Sequence, residues 1–136
     1  WFWSRKAEVP LDHPRTGVAL PWHECLDYPG ARQMKVMRDI FDRMEWWKLR
    51  PDRSLLAEDI VDAEFRDHIQ PARSEDGKFA LLYLPANPVV KLNLAKFTRP
   101  VTAVWVDPRT GKETPAGKPA SELKPPGAGD WLLWLR

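Results

Sequence analysis

The 136-residue chain is predicted to be mainly β: an antiparallel two-sheet β-sandwich, preceded by an irregular loop and one amphipathic α-helix. Three observations carry this reading. From Phe79 onward, short runs rich in Leu, Val and Trp are cut by turn segments of Pro, Gly and Asp, the spacing of a sandwich. From Pro29 to Leu49, the residues Met34, Met37, Ile40, Phe41, Met44 and Trp47 fall on one helical stripe. That helix has no helical partner in the sequence, so its stripe must lie on the sandwich or on something outside the chain. The chain starts at Trp1 rather than Met. The expectation is the tail of a larger protein: the last helix of one domain, then a whole second domain.

The elements follow in order. Residues 1–28 carry Trp1, Phe2, Trp3 and Trp22 with Pro10, Pro14 and Pro21 between them. This predicts an aromatic-rich irregular loop that something covers. The helix is expected over Pro29 to Leu49, with Asp27 as N-cap and Pro29 in the first turn. Arg38 with Asp42 and Asp39 with Arg43 are i,i+4 pairs on its solvent face. Arg50-Pro51 is expected to end it. A link follows, with a first strand near Ser54 to Ala57. Ile69 to Arg73 and Lys78 to Leu84 are strands joined by Ser74-Glu75-Asp76-Gly77, a hairpin signal. Phe79 to Leu84 is apolar on both faces, which predicts a central strand. Val89 to Leu94 alternates, and Val101 to Val106 is a further strand. Asp107-Pro108-Arg109-Thr110-Gly111 is a turn before a short return strand, Lys112 to Pro115. Pro125 to Gly129 leads into the last strand, Trp131 to Leu135. The expected core includes Leu82, Leu84, Val90, Leu92, Val104 and Leu133.

Composition excludes several classes. Lys and Arg total 21 against 19 Asp and Glu, with the signs interleaved. There is no basic stripe, so nucleic acid is not the expected partner. No apolar run reaches the ~20 residues of a membrane span. The single cysteine, Cys25, cannot form an internal disulfide.

Catalytic chemistry finds little support. His23-Glu24 begins like a zinc-protease helix, but position 27 is Asp where a second His is needed. His13 and His68 are isolated. Glu24 with Asp27, and Asp59 with Asp62, are carboxylate pairs by type alone. No phosphate loop, nucleophile elbow or activated cysteine is present. The chain by itself is read as non-catalytic, with no cofactor and no metal.

The eight Trp residues are the live signal. Core and interdomain packing is the ordinary use of such rings. The sharper reading makes Trp105 and Trp134 a sugar-stacking surface. Trp134 lies on the opposite face of its strand from Trp131, Leu133 and Leu135, so one core cannot hold both Trp residues of that strand. Met34, Met37, Phe41, Met44, Trp46 and Trp47 are the expected interdomain contact residues.

Four segments in order carry a family resemblance: Trp22-His23-Glu24-Cys25-Leu26-Asp27-Tyr28-Pro29-Gly30-Ala31-Arg32-Gln33-Met34, Trp47-Lys48-Leu49-Arg50-Pro51-Asp52, Val104 to Gly111, and Pro125-Pro126 with Asp130-Trp131-Leu132-Leu133. Together they resemble the C-terminal part of apiosidase-like glycoside hydrolases. Those proteins have a (β/α)₈ barrel followed by a small β-sandwich, whose family is named as a "putative collagen-binding domain of a collagenase". The resemblance implies that residues 1–50 are a barrel remnant and 51–136 the accessory sandwich. It places the catalytic carboxylates upstream of Trp1. It implies a non-catalytic sandwich that packs on a missing N-terminal barrel and braces it. The alternative is an independent carbohydrate- or collagen-binding module. The resemblance favours a secreted or periplasmic location.

Overall fold

A computed structural model describes residues 3–9, 15, 17–58, 68–86, 88–117, 119 and 122–136. The helices are α1 (Trp22–Cys25) and α2 (Pro29–Phe41). The strands are β1 (Trp3–Ser4), β2 (Leu20–Pro21), β3 (Leu49–Pro51), β4 (Gln70–Ser74), β5 (Ala80–Leu84), β6 (Val90–Lys91), β7 (Ala103–Val106), β8 (Glu113–Pro115), β9 (Glu122–Leu123) and β10 (Trp131–Leu135). Six of them form an antiparallel sheet in the order β3-β4-β5-β10-β7-β8. A second antiparallel sheet pairs β6 with β9, and β1 pairs β2 in parallel.

Alternation along the central strands explains the layers. Leu133 of β10 stands opposite Leu82 of β5 and Trp105 of β7. These side chains share the inner face with Ala80, Leu84, Ala103 and Leu135, and Val90 and Leu123 of the small sheet close over them. The alternate residues Leu81, Val106 and Trp134 point the other way and cluster with Ile40 of α2. Val36, Phe41, Met44, Leu49, Val104 and Leu132 pack around that second cluster. The molecule is therefore a small sheet, a large sheet and a helix in three layers, with an apolar seam on each side of the large sheet.

The central placement of β5, the last strand over Trp131–Leu135, and the turn at 107–111 agree with the sequence reading. Several expectations need correction. Helix α2 stops at Phe41, not Leu49. Arg43 N donates to Ile40 O and Met44 N to Phe41 O, so the helix tightens into turns. A 3₁₀ turn at Trp46–Lys48 then swings the chain so that Leu49 pairs with Ser74. The long apolar periodicity concealed this break, because Met44 and Trp47 keep the helical spacing after the helix has ended. Tyr28, not Asp27, is the N-cap, and it makes no side-chain cap bond. Asp27 instead meets Arg32 at 3.4 Å. Arg38 pairs with Asp42 as expected, but Arg43 reaches the Asp39 carbonyl and Lys35 takes the Asp39 carboxylate.

The segment near Ser54 is a 3₁₀ turn, Arg53–Leu55, and only Leu56 bridges to Leu92. Asp52 caps that turn through Ser54 N and Ser54 Oγ, and accepts from Arg73 Nε at 2.7 Å. Side-chain capping competes with the strand and wins. Val89 to Leu94 shrinks to β6 plus that bridge. Val104 is half-buried against the helix layer, not in the inner core. His23 and Glu24 sit on α1, not in a loop. Trp1, Phe2, Pro10, His13, Pro14, Asp59 and Asp62 lie outside the described residues.

Candidate functional site

The helix-bearing face of the large sheet is built around Trp134. Its side chain leaves β10 on the outer face and is 4% exposed. Arg43, in the turn after α2, lies 5.3 Å from the centre of the Trp134 ring, and Arg136 lies 4.3 Å from it. Two guanidiniums thus flank one indole, an arrangement that the ring's negative face supports. Both then donate to Glu113 of β8, Arg136 at 3.0 Å. Burial works to raise the Glu113 pKa, but the hydrogen bond and charge of Arg136, then those of Arg43, hold it below its ordinary value. The cluster joins α2, β8 and β10. Among the described residues, the buried Nε1 of Trp134 has no acceptor.

A second polar cluster closes the β4–β5 hairpin. Ser74 is fully buried, and its hydroxyl accepts from the backbone N–H of Lys78 and Phe79. Asp76 is lowered to about 2, first by a hydrogen bond from Ser74 and, against burial, by the N–H and charge of Lys78. Lys48 approaches Asp76 at 3.5 Å and ties the 3₁₀ turn to the hairpin.

The sequence-predicted residues divide sharply. Trp105 is 3% exposed and sits in the inner core. Trp134 is buried under α2. Neither ring offers an open face for a sugar, which corrects the expectation of a platform there. The physical reason is layer assignment: period-2 geometry gives Trp105 to the small-sheet side and Trp134 to the helix side. Trp131 is half-buried, and its Nε1 donates to Gly127 O at 3.0 Å.

The exposed large apolar residues include Met34 at 55%, Met37 at 45%, Trp46 at 52% and Trp47 at 57%. Phe41 and Met44 are half-buried in the helix seam. Met34 and Met37 border a groove of about 330 Å³ between α2 and the sheet, together with Leu81, Tyr83, Pro108 and Leu132. Trp46 and Trp47 meet edge to face, centroids 6.1 Å apart at 78°. They border a larger groove of about 640 Å³ with Arg43, Arg99, Trp134 and Arg136. Sequence reasoning missed Arg99 and Arg136, because nothing in their spacing reveals that the chain end and the loop after Phe97 converge on the helix terminus.

Among the described residues, no His, Cys, Asp and Glu cluster is placed to hold a metal ion. His23, Glu24 and Asp27 are exposed. No described helix is long and apolar enough to cross a membrane.

Comparison with solved structures finds the same fold in two glycoside hydrolases. One, described as "Glycoside hydrolase", matches with a TM-score of 0.73 at 20% identity, over 90% of this chain and 29% of its own. A glycoside hydrolase family 5 protein from Bacteroides vulgatus ATCC 8482 matches with a TM-score of 0.73 at 21% identity, over 85% of this chain and 26% of its own. This chain therefore spans less than a third of the length of either relative. No curated protein matches it. The family described as "Putative collagen-binding domain of a collagenase" matches residues 50–136, from β3 to the end of the sheet, and the chain belongs to that family.

Proposed function

We propose that the chain is a non-catalytic accessory β-sandwich of a glycoside hydrolase, and that it packs against a preceding barrel and braces it. The observation that carries this reading is the half-covered helix stripe. Ile40 is 1% exposed, whereas Met34 and Met37 stand in solvent on the same helix. An apolar ridge beside an apolar groove is a contact surface, and Met adapts to an irregular partner. On this reading residues 1–50 end the barrel and 51–136 form the sandwich. The contact surface comprises Met34, Met37, Phe41, Met44, Trp46 and Trp47. That two glycoside hydrolases carry this fold over 29% and 26% of their chains supports a further domain as the partner, and its being a barrel of apiosidase-like specificity is part of the proposal.

Methionine oxidation footprinting tests it. Exposed Met34 and Met37 are expected to oxidise readily in this chain. In the product of the full gene they are expected to be protected. Equal oxidation in both, or a gene encoding no barrel before Trp1, overturns the reading. The purified chain is also expected to show no turnover of glycosides or collagen, with or without zinc. Turnover that disappears in Glu24→Gln contradicts this.

One observation favours a second reading, that of an independent carbohydrate- or collagen-binding module. Trp46 and Trp47 are more than half exposed and border the larger groove.

A further inference from the structure

The two grooves on the helix-bearing face differ in chemistry. The Met34–Met37 groove is lined by Gly30, Gln33 and apolar or aromatic residues, with no charged side chain. The other groove lies past the end of α2 and gathers Arg43, Arg99 and Arg136 around Trp46 and Trp47. Its volume, about 640 Å³, falls within the ~300–1,000 Å³ typical of small-molecule sites.

We propose that this groove binds a carboxylated sugar ring, with the ring stacked in the Trp46–Trp47 corner and its carboxylate on the arginines. The inference rests on the binding-module reading, in which Trp46 and Trp47 stay open to a ligand instead of meeting a barrel, and gives that reading a ligand class. It rests on three observations. First, the two indoles stand at 78°, so together they offer a face and an edge to one ring instead of a slot for two. The flat C–H face of a pyranose fits such a corner. Second, the groove is rich in donors. Arg43 spends Nε on Asp39 O and Nη1 on Glu113, Arg136 spends Nη2 on Glu113, and Arg99 gives Nε to Lys78 O. A guanidinium has five N–H groups, so most remain for an incoming acceptor. Third, the charges favour an anion. Arg43 and Arg136 share one carboxylate, Glu113, and Arg99 donates to a backbone carbonyl, so three guanidiniums stand against that single acid. The acids that line the groove, Asp42 and Glu45, are engaged by Arg38 at 3.3 Å and Lys48 at 2.7 Å. A carboxylate matches the planar guanidinium fork. A long polyphosphate does not fit a chain of net charge +2 with interleaved signs.

The test is calorimetric titration of the 136-residue chain with an oligosaccharide of glucuronic or galacturonic acid. Its neutral counterpart, inorganic phosphate and a collagen-like peptide are run beside it. Saturable binding of the acidic sugar is expected, with the neutral sugar weaker by about tenfold or more. Replacing both rings, Trp46→Ala with Trp47→Ala, is expected to weaken it by at least about tenfold. Arg99→Gln is expected to abolish the preference for the acid while leaving the neutral sugar's affinity in place. Arg32→Gln, on the first turn of α2 and paired with Asp27 away from the groove, serves as the unchanged control. Because the substituted side chains are exposed, melting curves confirm that each variant stays folded. Absence of saturable binding overturns the proposal, as does equal affinity for the neutral sugar or for phosphate. Preference for the collagen-like peptide, or tryptophan variants that bind like the parent, overturns it too. Failure here leaves the bracing role standing, since that is read on Met34 and Met37.

Discussion

At the residue scale, Trp134 and Glu113 decide how helix and sheet adhere. Trp134 fills the seam between Ile40 and the outer face of the sheet, so truncation leaves a cavity there. Trp134→Ala is expected to destabilise the fold by about 3–5 kcal/mol, measured by denaturant unfolding. Trp134→Phe is expected to cost less, because it keeps an aromatic ring and removes the N–H that lacks an acceptor. Glu113→Gln is expected to cost only about 1 kcal/mol, since its arginine partners are more than a third exposed and water screens them. The pH dependence has a definite sign. The Glu113 pKa is depressed in the fold, so its contribution is present above the ordinary value of 4.5 and is lost as pH falls through the folded value. Asp76 behaves the same way between 3.8 and about 2. Melting temperature is therefore expected to drop as pH falls below about 4.5, and less steeply in Glu113→Gln than in the parent. A melting temperature insensitive to pH between 5 and 2 contradicts this.

At the element scale, α2 shows what periodicity conveys and what it hides. The stripe of Met34, Met37, Ile40 and Phe41 was legible as an apolar face. Which of its members are covered was not, because coverage depends on where the sheet lies beneath the helix. Ile40 and the Met pair therefore respond differently to truncation. Ile40→Ala is expected to destabilise by about 2–4 kcal/mol. Met34→Ala or Met37→Ala is expected to stay within about 0.5 kcal/mol in this chain. Equal losses at all three positions, by thermal or denaturant unfolding, contradict this account. The β7–β8 turn also contributes to the seat of the helix. Gly111 has a φ of +73°, and a Cβ there would come within 3.3 Å of Val36 Cγ1. Gly111→Ala combines backbone strain with crowding of α2, and is expected to cost about 1 kcal/mol or more.

At the scale of the whole molecule, the family boundary and the physical unit do not coincide. The family begins at residue 50, whereas the outer face of the sheet is closed by residues 36–44. A chain trimmed to residues 50–136 would bare Leu81, Val106, Leu132 and Trp134. It is expected to bind a hydrophobic dye, to associate, or to melt well below the parent, as read by dye fluorescence and light scattering. A trimmed chain that matches the parent in both would show that α2 only rests on a face able to stand in water.

The sequence by itself determined the mainly β class, the hairpin at Asp76-Gly77, the central strand at Ala80–Leu84 and the opposition of Trp131 and Trp134. These follow from local rules, namely turn chemistry and two-residue alternation, which need no knowledge of distant segments. Only the tertiary structure decided that α2 lies on the outer face of the large sheet, that Trp105 and Trp134 are both buried, and that Trp46 and Trp47 are the exposed rings. It also decided that Arg43, Arg99 and Arg136, far apart in the chain, meet beside them. Burial of a ring is a property of which two layers close over it. The choice of layer is made by strand order and by the break in the helix after Phe41, and neither leaves a periodic trace in the sequence.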